Sequence, residues 1–231
     1  MGKGQATALM QESSKYYVPV CLYPHTRYRT RAGLNDLFEK YSLSENPCLI
    51  VVADRLLALD RLVTGRYWQA ANIVNTARRD AEQVFRLIRR TAASHGAGES
   101  CRICYWDDVA DDPDYIDFSR RLQAAICANP GMSEQIDRFV GNRIDRFGDK
   151  ANPERAAEAE REYLLSEVTM SVFGTERLGY AVEIWERPPA PDIPDPLKIL
   201  YGQHLSLVAD AIEGPPKRRL DFLYEGPGPK Q

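Results

Sequence analysis

Residues 48–53 read Cys-Leu-Ile-Val-Val-Ala, a continuous apolar run bounded by Asn46-Pro47 before it and Asp54 after it. Six apolar residues without alternation do not suit a strand that faces water on one side. They suit a strand covered on both faces, as in a parallel sheet with helices above and below. On either side of this run the chain alternates in the same sense. Residues 16–23 (YYVPVCLY) read as a first strand, residues 31–40 as a short helix and residues 100–106 (SCRICYW) as a third strand. A long helix is expected from about Tyr67 to Ser94, with Ala71, Val74, Ala77, Ala81, Val84, Phe85 and Ile88 along its apolar side. Helices follow near Tyr115 to Ala128, Ser133 to Phe147 and Pro153 to Phe173, then a strand at residues 180–185 (YAVEIW), a proline-rich turn at 188–196 and a last helix at 197–212. Repeated strand-then-helix order predicts an α/β fold, an open and mostly parallel sheet with helices on both faces. The organisation expected is a tail over residues 1–14, one domain over 15–212 and a Gly/Pro/Lys-rich C-terminal tail over 213–231.

Composition narrows the classes of function. The chain has 231 residues, 44% hydrophobic and 27% charged, which is enough for a sizeable core. No apolar run approaches membrane-spanning length and the first 15 residues lack a secretion-signal pattern, so a cytoplasmic protein with no membrane contact is expected. Five cysteines suit reduced thiols better than a disulfide framework. Cys101-Arg-Ile-Cys104 has metal-ligand spacing, but there is no second pair and the three histidines are scattered, so no metal site is expected. The phosphate-binding GxGxxG and GxxxxGK[ST] patterns, the GxSxG elbow and the HIGH and KMSKS signatures of amino acid activation are all absent.

Two local patterns carry chemistry. In the helix that begins at Asn152-Pro153, Tyr163, Glu167 and Met170 stand at i, i+4 and i+7 on a face expected to be buried. Glu167 is the sole ionisable residue between Leu164 and Phe173. Burial of an unpaired carboxylate costs several kcal/mol, so Glu167 needs a partner, a raised pKa or a task. On the long helix Arg79, Arg86 and Arg90 form a stripe with Arg78 and Arg89 beside it, suited either to nucleic-acid phosphates or to an ordinary solvated face shared with Asp80 and Glu82. The net charge of −3 conceals this basic surface: seven arginines fall between Arg66 and Arg102, and six aspartates between Asp107 and Asp117. In open α/β sheets ligands gather at the carboxyl ends of the strands, here near Tyr23 to Thr26, Asp54, Trp106 to Asp108 and Trp185 to Glu186.

Taken in order, several of these features resemble the tRNA-dependent cyclodipeptide synthases. They are the strand ending at Asp54, Gly65 ahead of the arginine-rich helix, the Asp112-Pro113-Asp114-Tyr115 turn, the Tyr163-x-x-x-Glu167 helix and the strand ending at Trp185. The resemblance spans roughly residues 16 to 205. It implies a Rossmann-like fold similar to the catalytic domain of class I tyrosyl-tRNA synthetases, a monomer without cofactor, and ATP-independent formation of a 2,5-diketopiperazine from two aminoacyl-tRNAs. It also implies that Tyr163 and Glu167 hold an aminoacyl amino group, with Tyr115 as a further active-site tyrosine. Trp185 stands where the family has another tyrosine, and an ungapped match puts Tyr23 at the position of the family's nucleophilic serine, Thr26 at that of its asparagine and Tyr28 at that of the tyrosine after it.

The first acyl group could then be held by Tyr23 or Thr26, by the neighbouring Cys21, or by no covalent bond at all, with the second aminoacyl-tRNA attacking the first directly. Met170 and Asp54 are further expected substrate contacts, and Arg78, Arg79, Arg86, Arg89 and Arg90 expected tRNA contacts. Glu183 matches a position lining the family's first side-chain pocket, where a carboxylate suits a guanidinium. The chain looks more like a divergent fungal branch that makes arginine-containing cyclodipeptides, which makes arginyl-tRNA the expected first partner. The alternatives are an inactive relative that binds tRNA and another aminoacyl-tRNA-dependent transferase.

Overall fold

Five parallel strands form one sheet in the order β3-β2-β1-β4-β5 in a computed structural model that describes residues 16–23, 26–65, 70–174, 178–180, 182–186 and 221–224. The strands are β1 (Tyr16–Val20), β2 (Cys48–Val52), β3 (Cys101–Tyr105), β4 (Val182–Trp185) and β5 (Asp221–Tyr224). The helices are α1 (Arg31–Lys40), α2 (Asp54–Val63), α3 (Ala70–Ser94), α4 (Trp106–Ala110), α5 (Pro113–Ala128), α6 (Pro130–Phe147) and α7 (Pro153–Phe173). A 3-10 turn, Arg27–Arg29, precedes α1.

The run at residues 48–52 is buried at every position, as expected of a strand covered on both faces. Its alternate side chains feed two cores. Cys48, Ile50 and Val52 join Val18, Val20 and the apolar faces of α1 and α3, whereas Leu49 and Val51 join Tyr17 and helices α5 to α7. Local signals set several helix starts: the Thr30 side chain accepts from Gly33 N at 3.1 Å, Asp112 from Asp114 N at 2.8 Å and Asn129 from Met132 N at 3.1 Å, with proline in the first turn of α5, α6 and α7. Gly65 has φ +64°, and a side chain there would collide with Asp149, whose amide bonds Val63 O at 2.7 Å.

Three expectations need correction. Helix α2 follows β2 without a turn, where the sequence suggested no helix. Trp106 opens α4 instead of ending β3. A short strand, β5, pairs with β4 inside the 213–231 stretch read as a tail. The residue 1–14 tail, the 188–196 turn and the 197–212 helix lie outside the described residues. Among the described residues no helix is long and apolar enough to cross a membrane.

The chain builds β1, β2 and β3 in one direction, then crosses back to place β4 on the other side of β1. The carboxyl ends of β1 and β4 therefore flank the switch point of the sheet, where adjacent connections diverge and leave a crevice.

Candidate active site

Around this switch point stand the chain that leaves β1, the end of β4, and helices α2 and α7, which pack on each other. Glu183, buried in β4 at 1% exposure, lies beside Tyr17 in register, and Glu186 follows β4. Glu186 Oε1 accepts from Arg27 N at 2.7 Å, which ties the β1 exit across to β4. Tyr163 and Glu167 lie on α7. Both are half-buried rather than fully buried, while Ala156, Leu164, Met170 and Phe173 carry the packing of the helix.

Their electrostatics show how closely the groups gather. Burial and then the Glu167 carboxylate hold the Tyr163 phenol well above its ordinary pKa, with Tyr23 and Cys21 adding to the effect. Burial, then Glu167, Glu186, Asp60 and Glu183, push the Cys21 thiol up to about 12. Tyr17 is raised by burial, then by Glu183, Cys104 and Glu167. Glu167, Glu183, Tyr23 and Tyr163 thus all stand within electrostatic reach of Cys21. Trp185 ends β4, its indole Nε1 buried and lacking an acceptor among the described residues.

Other expected site residues take different positions. Met170 is fully buried in the core, its carbonyl accepting from Tyr180 Oη at 2.8 Å. The Tyr115 ring packs edge-on against Phe173, with its hydroxyl donating to Ser166 O of α7 at 3.3 Å. Tyr28 is core as well. The Thr26 hydroxyl donates to the main-chain carbonyl of Tyr23 and closes the turn after β1. Asp54, 3% exposed, pairs with Arg78 and accepts from Trp106 N at 3.1 Å, so it fastens α4 and α3 to the end of β2. Arg78 accordingly leaves the arginine stripe; its guanidinium stacks 3.4 Å above the Tyr105 ring. Arg86 pairs with Glu82, and Arg90 Nε donates to Arg86 O at 3.3 Å. Arg79 and Arg89 are exposed and form no ion pair among the described residues.

Sequence reasoning missed a buried charge network behind the crevice. Tyr23 Oη donates to Asp60 Oδ1 at 2.8 Å. Arg143 of α6 lies 3.7 Å from Asp60 Oδ1 and 3.1 Å from Oε1 of Glu160, which is 1% exposed on α7. Burial and the proton shared with Asp60 raise the Tyr23 phenol far above its usual range. Burial raises Glu160, against the opposing pull of Arg143. One signal was available: α2 reads DRLLALDRLV, so nearly every side of it is apolar and Asp60 could not avoid burial.

No protein-family model and no curated protein matches this sequence. Solved structures do. A cyclodipeptide synthase from Fluoribacter dumoffii superposes with TM-score 0.66 at 15% identity, covering 97% of this chain and 93% of that one. A structure from Candidatus Glomeribacter gigasporarum, a cyclodipeptide synthase bound to Phe-tRNAPhe, gives 0.58 at 16% identity over 98% and 93% of the two chains. A third, from Mycobacterium tuberculosis and described as showing that cyclodipeptide synthetases are related to type I tRNA synthetases, gives 0.60 at 17% over 80% and 78%. The chain has the cyclodipeptide synthase fold, a Rossmann-like α/β architecture of the class I synthetase type.

Proposed function

We propose that this protein is an aminoacyl-tRNA-dependent cyclodipeptide synthase, an aminoacyltransferase that joins two aminoacyl groups into a 2,5-diketopiperazine without ATP. The observation that carries this reading is the gathering of Tyr163, Glu167, Cys21 and Tyr23 at the switch point of a sheet with this fold. Esters on tRNA are already activated, so the protein has to bind two of them, orient an amine onto a carbonyl and move a proton. Glu167 suits the α-ammonium group as counter-ion and then as proton acceptor. Tyr163, kept a neutral phenol by burial and then by Glu167, suits the same amine as a hydrogen-bond partner. The indole N–H of Trp185 is the donor suited to the ester carbonyl.

Glu183 supports arginine as one of the joined residues. It is a buried carboxylate at the foot of the crevice, and a guanidinium can meet a carboxylate in bidentate fashion. Arginyl-tRNA is then the first partner, with its phosphates reaching the exposed arginines of α3, Arg79 and Arg89 foremost and Arg86 and Arg90 next. The protein acts as a monomer, without a metal or cofactor.

Expression in cells followed by mass spectrometry of the medium should reveal an arginine-containing cyclic dipeptide, and the same product should form in vitro from charged tRNAs. Glu183→Ala should remove arginine from the product while leaving other cyclic dipeptides detectable. An unchanged product spectrum would return Glu183 to a structural role. One observation favours a second reading: Tyr23 stands where the family has its nucleophilic serine, and the carboxylate its hydroxyl bonds, Asp60, is paired with Arg143. A tRNA-binding protein without synthase activity would bind charged tRNA and release no cyclic dipeptide with every charged tRNA supplied.

A further inference from the structure

We infer that Asp60 is a positioning residue that turns the Tyr23 oxygen into a pure hydrogen-bond acceptor for an aminoacyl ammonium group, and that the reaction proceeds without a covalent aminoacyl-enzyme. This rests on the synthase reading. A phenol carries one proton, and that of Tyr23 is committed to Asp60 Oδ1 at 2.8 Å. Asp60 is paired in turn with Arg143 at 3.7 Å, and Arg143 with Glu160 at 3.1 Å, three charges from three helices behind one hydroxyl. What Tyr23 presents to the crevice is its lone pairs. Cys21, next to Tyr23 in space, has Glu167, Glu186 and Glu183 around it, and a negative surrounding of that kind suits cationic N–H donors.

The same geometry argues against Tyr23 as an acyl carrier. Asp60 would have to remove the phenol's proton while Arg143 stabilises its charged form, which makes it a weak base. Burial and the Asp60 charge also hold the phenol far above its usual pKa, so little nucleophilic phenolate forms. Thr26 has its proton committed to the Tyr23 carbonyl. Burial, and then the charges of Glu167, Glu186, Asp60 and Glu183, oppose a thiolate at Cys21.

Direct aminolysis needs no carrier. The neutral amine of one aminoacyl ester attacks the carbonyl of the other, so a C–N bond forms, the C–O bond to ribose breaks and a proton from the nitrogen passes to the departing ribose oxygen. The free amine of the resulting dipeptidyl ester repeats the step on the remaining ester, which closes the ring and frees the second tRNA.

Acid-quenched intact-mass spectrometry of the protein mixed with arginyl-tRNA should show no added aminoacyl mass. Tyr23→Phe should raise KM for charged tRNA about tenfold to hundredfold, the scale of one hydrogen bond to a charged group, with kcat little changed. Asp60→Asn should give a comparable rise, yet add less than about twofold in the Tyr23→Phe background, because it acts through that hydroxyl. Thermal melts of each variant separate this from misfolding. An aminoacyl adduct on Tyr23, Cys21 or Thr26 would overturn the inference while the synthase reading stands. So would a kcat loss of about 10⁴-fold or more in Tyr23→Phe, or an Asp60→Asn effect undiminished in that background. Absence of cyclic dipeptide from the parent protein with every charged tRNA would remove both.

Discussion

Helix α2 carries two buried aspartates with opposite fates. At its start, Asp54 has one oxygen on Arg78 and the other on the Trp106 amide at 3.1 Å, so its bonds are all directed into the scaffold. Less than two turns later, Asp60 holds the hydroxyl of Tyr23, a residue that borders the crevice, and is itself steadied by Arg143. A buried carboxylate tied to main chain and a single cation fixes a fold. One tied to a side chain of the crevice fixes the direction of that side chain's donor. Burial alone therefore does not mark a functional acid; what its partners face does.

Removal of each carboxylate should expose the contrast. Asp54→Ala leaves a buried amide without acceptor and a guanidinium without counter-ion, and should lower unfolding free energy by about 2–4 kcal/mol in urea titrations. Asp60→Asn keeps a hydrogen-bonding side chain in place and should cost clearly less stability while changing substrate binding more. Equal stability losses would mean that the two aspartates do the same work.

The rule that ligands sit at the carboxyl ends of strands pointed to Asp54, which follows β2, and passed over Asp60. Strand β2, the long arginine-rich helix and the Asn152-Pro153 start of α7 were legible because periodicity, caps and prolines are local signals. Helix α2 was not, because Ala53 offers no side-chain cap and the helix begins directly at the strand's end. Strand β5 is four residues in a Pro/Gly-rich stretch and exists through its pairing with β4. The Tyr23, Asp60, Arg143 and Glu160 set is assembled from the β1 exit and three helices, so no spacing in the sequence announces it. Tyr163 and Glu167, one turn apart on one helix, were within reach of pattern alone.

The arginines sharpen the contrast from the cation side. Arg78 is bound to Asp54, whereas Arg79 and Arg89 are exposed and without ion pairs among the described residues. Arg79→Glu with Arg89→Glu should weaken tRNA binding severalfold. The slope of log affinity against log salt should fall by about 0.7 to 0.9 for each phosphate that is no longer neutralised, with the melting temperature unchanged. Arg78→Ala should instead lower the melting temperature. A salt slope unaffected by the double reversal would make the stripe an ordinary solvated face.

The smallest effect concerns how far the closed Asp54 site reaches. Asp107, in the first turn of α4, has its pKa raised to about 6, first by burial, then by the Asp54 charge, against the opposing pull of Arg55 at 3.8 Å. A carboxyl with a folded-state pKa above its ordinary value of 3.8 favours the fold when protonated. Its contribution is complete below that value, falls as pH rises through about 6, and stays lost above it. Asp107→Asn should therefore gain stability relative to the parent between these limits and hold the gain at neutral pH. Because the side chain is 41% exposed, solvent screening should keep that gain under about 1 kcal/mol. With Asp54→Asn in the background, the pH-dependent part of the Asp107→Asn gain should shrink, since one of the charges that raises the Asp107 carboxyl is then gone. A gain that persists at full size would assign the shift to burial alone and confine the influence of Asp54 to its own bonds.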